Sequence, residues 1–175
     1  MILIISTCSE RLNEFEFVQP VAKIVGKGSK IIHYSKLKKK DILAAEKVII
    51  CGTALNDNEY LNGLDKFEWI TEFSKPLLGI CSGMQILGLK FGAKLVSKEE
   101  IGTISVEVKV INKLFSKDFE AYGLHGNSLS KLGEFDVLAK SKKSVQAIKR
   151  ENMYGIMFHP EVRNEDIVRK FISTC

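Results

Sequence analysis

The sequence predicts an α/β fold, a mixed and mainly parallel central sheet flanked by helices, and three observations carry that prediction. Short apolar runs of strand length alternate with helix-length amphipathic segments through the first half of the chain, the pattern of a parallel sheet with helices on both faces. After Gly92 helices become scarce and alternating segments such as Ser105–Val110 take over, as antiparallel strands with one exposed face do. No linker, internal repeat or low-complexity stretch separates the two halves, so residues 1–175 read as one domain, long enough to bury a substantial core.

The elements follow in order. Ile2–Ser6 is a buried strand. Asn13–Val25 has helical periodicity, with Phe17, Val21, Ile24 and Val25 on one side, and Pro20 delays or kinks it. Lys30–Tyr34 is a second strand, Asp41 caps a short helix through Ala45, and Lys47–Cys51 is a third strand. A loop over Gly52–Asn58 leads to a helix over Glu59–Phe73, where Leu61, Leu64, Phe67 and Ile70 recur on one side. Leu77–Ile80 is a strand and Ser82–Phe91 a helix that Gly92 ends. Lys94–Ser97, Gly102–Ile111, Asp136–Lys140, Ser144–Lys149 and Tyr154–Phe158 read as strands. The helix Asn164–Ser173 then turns Ile167, Val168, Phe171 and Ile172 inward.

Composition narrows the function. Apolar residues make up 45% and charged residues 27% of the chain, ordinary for a globular protein. No run approaches the ~18 apolar residues of a membrane span, so no membrane partner is expected. The first strand has no basic leader ahead of it, which makes a cytoplasmic location the expectation. The formal charge is +5, and the densest basic run is Lys36–Lys40. No aromatic residue interleaves those lysines as a stacking surface would require, so they read as a solvated loop and not as a nucleic-acid site. Cys8, Cys51, Cys81 and Cys175 form no C-x-x-C pair. Neither zinc nor a redox motif is expected, and free thiols in a reducing compartment fit.

The chemistry gathers at Gly79-Ile80-Cys81-Ser82-Gly83. A cysteine at a strand-to-helix corner, with glycine two residues to either side, has the layout of a nucleophile elbow. A Cβ at Gly79 or Gly83 would crowd the neighbouring strand or helix. The corner places the sulfur before a helix N-terminus, where negative charge is favoured and the thiol pKa falls. Taken alone, this stretch is read equally well as a small buried hydrophobe after a strand. His159-Pro160-Glu161 tips the balance. Proline biases His159 toward an extended backbone, in which residues i and i+2 point the same way. Glu161 can then fix one imidazole nitrogen and leave the other to face Cys81, the cysteine–histidine–acid arrangement of acyl transfer.

With these motifs the chain resembles the class I, triad-type glutamine amidotransferases. Gly79-Ile80-Cys81-Ser82-Gly83-Met84-Gln85 matches the family's G-x-C-x-G-x-Q motif, and His159-Pro160-Glu161, about eighty residues on, matches its H-P-E motif. The resemblance runs over the whole chain. It implies a flavodoxin-like fold and hydrolysis of L-glutamine to glutamate and ammonia, with Cys81, His159 and Glu161 as the triad. It also implies Thr53 and Ser82 as backbone oxyanion donors. Gly52, Gln85, His125 and Gly126 would lie at the substrate, His125 mainly through its backbone. Gly-Met-Gln after the nucleophile and Tyr122–Asn127 resemble the glutaminase component of GMP synthase, although Leu124 and Asn127 stand where Ser and Asp are usual.

The chain departs from the family at Cys51-Gly52-Thr53-Ala54, where Ser-Gly-Gly-Pro is usual. Either Thr53 takes ordinary backbone angles with its N–H aimed inward, or the loop rearranges, or it becomes competent when a partner docks. No G-x-x-x-x-G-K-[ST] phosphate loop is present. The chain itself needs no cofactor, and ATP with Mg²⁺ would belong to a separate ammonia-accepting synthase, foremost the ATP-pyrophosphatase subunit of GMP synthase in purine biosynthesis. A stand-alone γ-glutamyl hydrolase or peptidase, and a catalytically weak regulatory homologue, remain alternatives.

Overall fold

Five parallel strands form the spine. In the computed structural model, which describes residues 1–175, these are β1 (Ile2–Ser6), β2 (Ser29–His33), β3 (Lys47–Ile50), β4 (Leu77–Ile80) and β9 (Met153–Ile156). They lie in the order β2-β1-β3-β4-β9, the arrangement of flavodoxin-like sheets. The sheet then continues antiparallel through β8 (Val145–Arg150), β7 (Asp136–Lys140), β5 (Lys94–Val108) and β6 (Phe119–Ser130). The expected mixed sheet is therefore present.

Alternation along each parallel strand divides the core between two faces. Ile4, Ile49 and Leu78 face α1 (Glu14–Phe17), α2 (Gln19–Val25) and α5 (Glu165–Thr174) through Phe17, Val21, Val168 and Phe171. Leu3, Ile5, Val48, Ile50 and Leu77 face the other side, where Phe67, Ile70 and α4 (Ser82–Lys90) cover them. A short helix, α3 (Lys39–Ala44), flanks β2, and Asp41 ties its start by accepting the Lys38 N–H at 3.2 Å and the Lys30 ammonium at 2.7 Å. Asp41 thus acts from inside the helix and does not occupy the cap itself.

Three further local expectations are corrected. The helix over Asn13–Val25 is two helices with a break at Val18. Pro20 stands in the first turn of the second, where its missing N–H has no intrahelical partner to lose. The helix over Glu59–Phe73 is instead 3₁₀-helical, over Glu59–Leu61 and Leu64–Glu72. Leu61, Leu64, Phe67, Ile70 and Phe73 are spaced by three, the 3₁₀ repeat. Lys94–Ser97 and Gly102–Val108 are parts of one strand, β5, with a register irregularity between Ser97 and Glu100, and the expected Lys109–Ile111 lie beyond its end.

The largest correction is β6, which was not expected at all. Its buried positions include Ala121, Gly123, His125 and Ser128, small or polar residues that give no apolar alternation. The strand nonetheless pairs with β5 along most of its length and forms one wall of the site.

Candidate active site

β1 leads outward to β2 and β3 returns on its other side, so the carboxyl ends of β1 and β3 flank the crevice where such sheets bind ligands. β4 ends beside them, and Cys81 follows at φ 49°, ψ −104°, a backbone conformation costly for any residue with a Cβ. The surroundings hold it there. The Cys81 N–H donates to the Ile156 carbonyl at 2.8 Å, and the Cys81 carbonyl accepts from Gln85 N–H at 3.1 Å, so α4 begins at once. The corner closes so tightly that a Cβ on Gly79 would lie 2.5 Å from the Gly83 carbonyl.

The thiol is buried and lies 3.6 Å from the Leu124 carbonyl of β6. His159 comes from just past β9. Its N–H donates to the Tyr122 carbonyl at 2.8 Å, so β6 also anchors the histidine. The Phe17 ring lies against the imidazole at a centroid distance of 5.3 Å. Nδ1 meets Glu161 Oε1 at 2.7 Å, with both side chains fully buried. Nε2 has no hydrogen-bond partner in the chain. Burial pushes the imidazole pKa down, but the charges of Cys81 and Glu161 outweigh it and hold His159 well above its ordinary value. Cys8 and Cys51 are unlike this: burial pushes both thiols up and keeps them protonated.

Gly52 does not line the cleft. It packs against Cys81 and His159. Thr53 is buried, and its φ is ordinary, because positive φ outside glycine occurs only at Cys81, Lys131, Glu151 and Asn164. Thr53 therefore has the ordinary φ that the first of the three alternatives requires. Neither the Thr53 nor the Ser82 N–H donates within the chain. The Ser82 hydroxyl is held between Thr7 Oγ1 at 2.8 Å and the Cys51 carbonyl at 3.1 Å.

Gln85 lies on the inner face of α4. Its Oε1 accepts from Tyr60 OH, and its Nε2 donates to the Asn127 carbonyl at 3.2 Å. His125 turns its ring away from the thiol. Nδ1 lies 3.1 Å from the Lys98 carbonyl and Nε2 lies 3.5 Å from Glu100, without an aligned hydrogen bond. Burial lowers its pKa more than Glu100 raises it, so the ring is neutral at pH 7. Thr53, Cys81, Ser82, Gln85, His125 and Gly126 all border one cleft. That cleft is nearly closed, with a volume of 10 Å³, about that of one water. A much larger hollow of 830 Å³ opens beside Glu100 and Lys140, but it contains neither the thiol nor the imidazole.

Sequence reasoning missed Thr7, Tyr60 and the Tyr122 and Leu124 carbonyls. The two carbonyls carry no side-chain signal, and Thr7 and Tyr60 act only through contacts distant in sequence. No three His, Cys, Asp or Glu side chains converge as a metal site. No helix is long and apolar enough to cross a membrane.

Residues 21–174 match the family described as glutamine amidotransferase class-I. A glutamine-hydrolysing GMP synthase subunit from Pyrococcus abyssi is 33% identical over 117 residues, 59% of this chain and 62% of the relative. The corresponding GMP synthase subunit from Thermoplasma acidophilum is 28% identical over 169 residues, covering 89% of this chain and 84% of the relative. A solved Thermoplasma acidophilum protein, assigned to the same kind of GMP synthase subunit, superposes with a TM-score of 0.85 at 25% identity, over 99% of this chain and 93% of that one. A glutamine amidotransferase from Thermotoga maritima shares the fold at TM-score 0.72 and 20% identity, over 99% of this chain and 81% of that one. The flavodoxin-like fold of the class I amidotransferases is thus the fold of this chain. The matched segment spans less than two thirds of the Pyrococcus abyssi relative.

Proposed function

The chain belongs to the class-I glutamine amidotransferase family, and from that premise we propose that it hydrolyses the side-chain amide of L-glutamine with Cys81 as nucleophile. The observation that carries this reading is the Cys81 turn, held in a strained conformation beside a buried His159–Glu161 pair at 2.7 Å.

The steps follow from the positions. His159 holds the proton taken from Cys81, and the thiolate attacks the amide carbon. Charge develops on the carbonyl oxygen, where the unspent N–H groups of Thr53 and Ser82 receive it. His159 passes its proton to the departing nitrogen, and ammonia leaves a glutamyl thioester. A water then gives His159 a proton as it attacks that thioester. Glutamate departs and the proton is again shared between His159 and Cys81. Glu161 keeps the imidazole oriented throughout.

The ammonia would pass to a separate synthase. The names of the Pyrococcus and Thermoplasma relatives support the glutamine-hydrolysing subunit of GMP synthase as this chain's role, with the ATP-pyrophosphatase subunit converting XMP to GMP in purine biosynthesis. ATP and Mg²⁺ would act on that partner. A stand-alone γ-glutamyl peptidase is the second reading, and the names of those relatives favour the first. The ordinary φ of Thr53 weighs against a retired site.

The test is mass spectrometry after treatment with an electrophilic glutamine analogue. One adduct is expected on the wild type, absent from Cys81→Ser and blocked by excess glutamine. An unmodified wild type, with and without the candidate synthase, overturns the reading.

A further inference from the structure

Thr53 stands where its family usually has glycine, yet it is buried and held. Its Oγ1 donates to Asp57 Oδ2 at 2.6 Å. That carboxylate oxygen also accepts the Ser9 N–H at 2.8 Å, from the loop that follows β1. The Asp57 N–H closes the turn on the Ala54 carbonyl at 2.9 Å. Next to Ser9, the Cys8 thiol contacts the Gly52 carbonyl at 3.8 Å. One carboxylate therefore joins the β1 loop to the loop after β3. Burial pushes the Asp57 carboxyl up, but the bonds from Thr53 and Ser9 overcome this and leave it below its ordinary value. It stays ionised at neutral pH, and a charged acceptor strengthens both hydrogen bonds.

Resting on the glutaminase reading, we propose that Asp57 is a positioning residue for the oxyanion hole, holding the Thr53 hydroxyl so that the Thr53 N–H stays turned to the cleft above Cys81. Glycine would leave this backbone free to choose among conformations. Here a β-branched side chain narrows the choice, and the carboxylate selects one. Donors set before the reaction need no reorganisation as charge develops. Asp57 touches neither the thiol nor the imidazole and acts through Thr53.

The test uses a chloromethyl-ketone analogue of glutamine. The Cys81 sulfur adds to its carbonyl, forming an oxyanion; the sulfur then bonds the methylene as chloride leaves, and the first carbon–sulfur bond breaks as the oxyanion returns to the ketone. Iodoacetamide alkylates the same sulfur by direct displacement without that oxyanion. Thr53→Val and Asp57→Ala should each lower the maximal chloromethyl-ketone rate by about tenfold or more. Half-saturation and the iodoacetamide rate should change less than about threefold. Thr53→Ser, which keeps the hydroxyl, should recover most of the loss, and the double variant should be no slower than the slower single. Carbon-13 NMR should show the Asp57 carboxyl titrating at higher pH in Thr53→Val.

Variants reacting at the wild-type maximal rate, or slowed equally toward iodoacetamide, overturn the positioning role alone. An Asp57 titration unchanged in Thr53→Val overturns the contact itself. A wild type that takes no chloromethyl-ketone adduct overturns the glutaminase reading and this inference with it.

Discussion

Gly52 and His159 are packed so closely that a Cβ on the glycine would lie 2.7 Å from the imidazole Cε1 and 3.1 Å from the Cys81 Cβ. Position 52 therefore lets the His159 imidazole and Cys81 approach by having no side chain. Gly52→Ala should displace the imidazole from the thiol and lower glutamine turnover by about 10²-fold, the scale of a misplacement near 1 Å. Steady-state ammonia release measures it, with circular dichroism confirming a folded variant. Turnover within twofold of wild type would mean that the site absorbs the methyl group without moving His159.

The pH dependence follows from Glu161. Its carboxylate helps raise the His159 pKa, so Glu161→Gln removes a charge that favours the imidazolium. The imidazole then loses its proton at lower pH, and the leaving nitrogen loses its acid. The alkaline limb of kcat/KM should move to lower pH in Glu161→Gln, and the plateau should fall as the ring loses its orientation. An alkaline limb that stays in place would assign that limb to a group other than His159.

The parallel half of the sheet was legible because its strands carry short apolar runs, as at Val48-Ile49-Ile50 and Leu77-Leu78. The cluster of Cys81, His159 and Glu161 was legible for another reason. Cys81 is flanked by the glycines a tight corner needs, and His159 and Glu161 are bonded to each other two residues apart. β6 was not legible, since apart from Leu129 its inward positions are alanine, glycine, histidine and serine. With it went the carbonyls of Tyr122 and Leu124, which touch the triad through backbone alone. The 3₁₀ segment was visible in the three-residue spacing of Leu64, Phe67 and Ile70, a period adjacent to the helical one and read as such. The Thr53 loop was legible only as alternatives, because a backbone angle is not written in a residue type that tolerates several.

His125 makes stability acid-sensitive. Burial lowers its pKa in the folded chain, whereas the unfolded value is about 6.5. The unfolded chain therefore binds the proton more readily. The stabilisation from burying the neutral ring is full above about pH 6.5 and declines as pH falls from there toward the folded pKa. His125→Gln keeps an N–H for the Lys98 carbonyl and does not titrate. Denaturant titrations at pH 7.5 and 5.5 should show the wild type losing more stability than the variant, by at most about 1.4 kcal/mol per pH unit for one proton. Equal losses would show that His125 titrates alike in both states.

Tyr60 and Gln85 join three walls of the cleft. The tyrosine hydroxyl, from the 3₁₀ turn Glu59–Leu61, donates to Gln85 Oε1 on α4, and Gln85 Nε2 donates to the Asn127 carbonyl on β6. Both side chains are buried, so Tyr60→Phe keeps the ring packing and leaves Gln85 Oε1 without that donor in a site water barely enters. An unsatisfied buried acceptor costs about 1–3 kcal/mol. Thermal unfolding should show a lowered Tm, several degrees for a chain of this size. The kinetic consequence separates two roles for Gln85. If the amide holds the walls, Tyr60→Phe should raise KM through a loosened cleft and leave kcat within about threefold, since neither the thiol nor the imidazole contacts it. If the amide is freed to meet substrate, losing its competitor should lower KM instead. The hydrogen bonds at both ends of the Gln85 side chain favour the first outcome, and an unchanged Tm with lowered KM would establish the second.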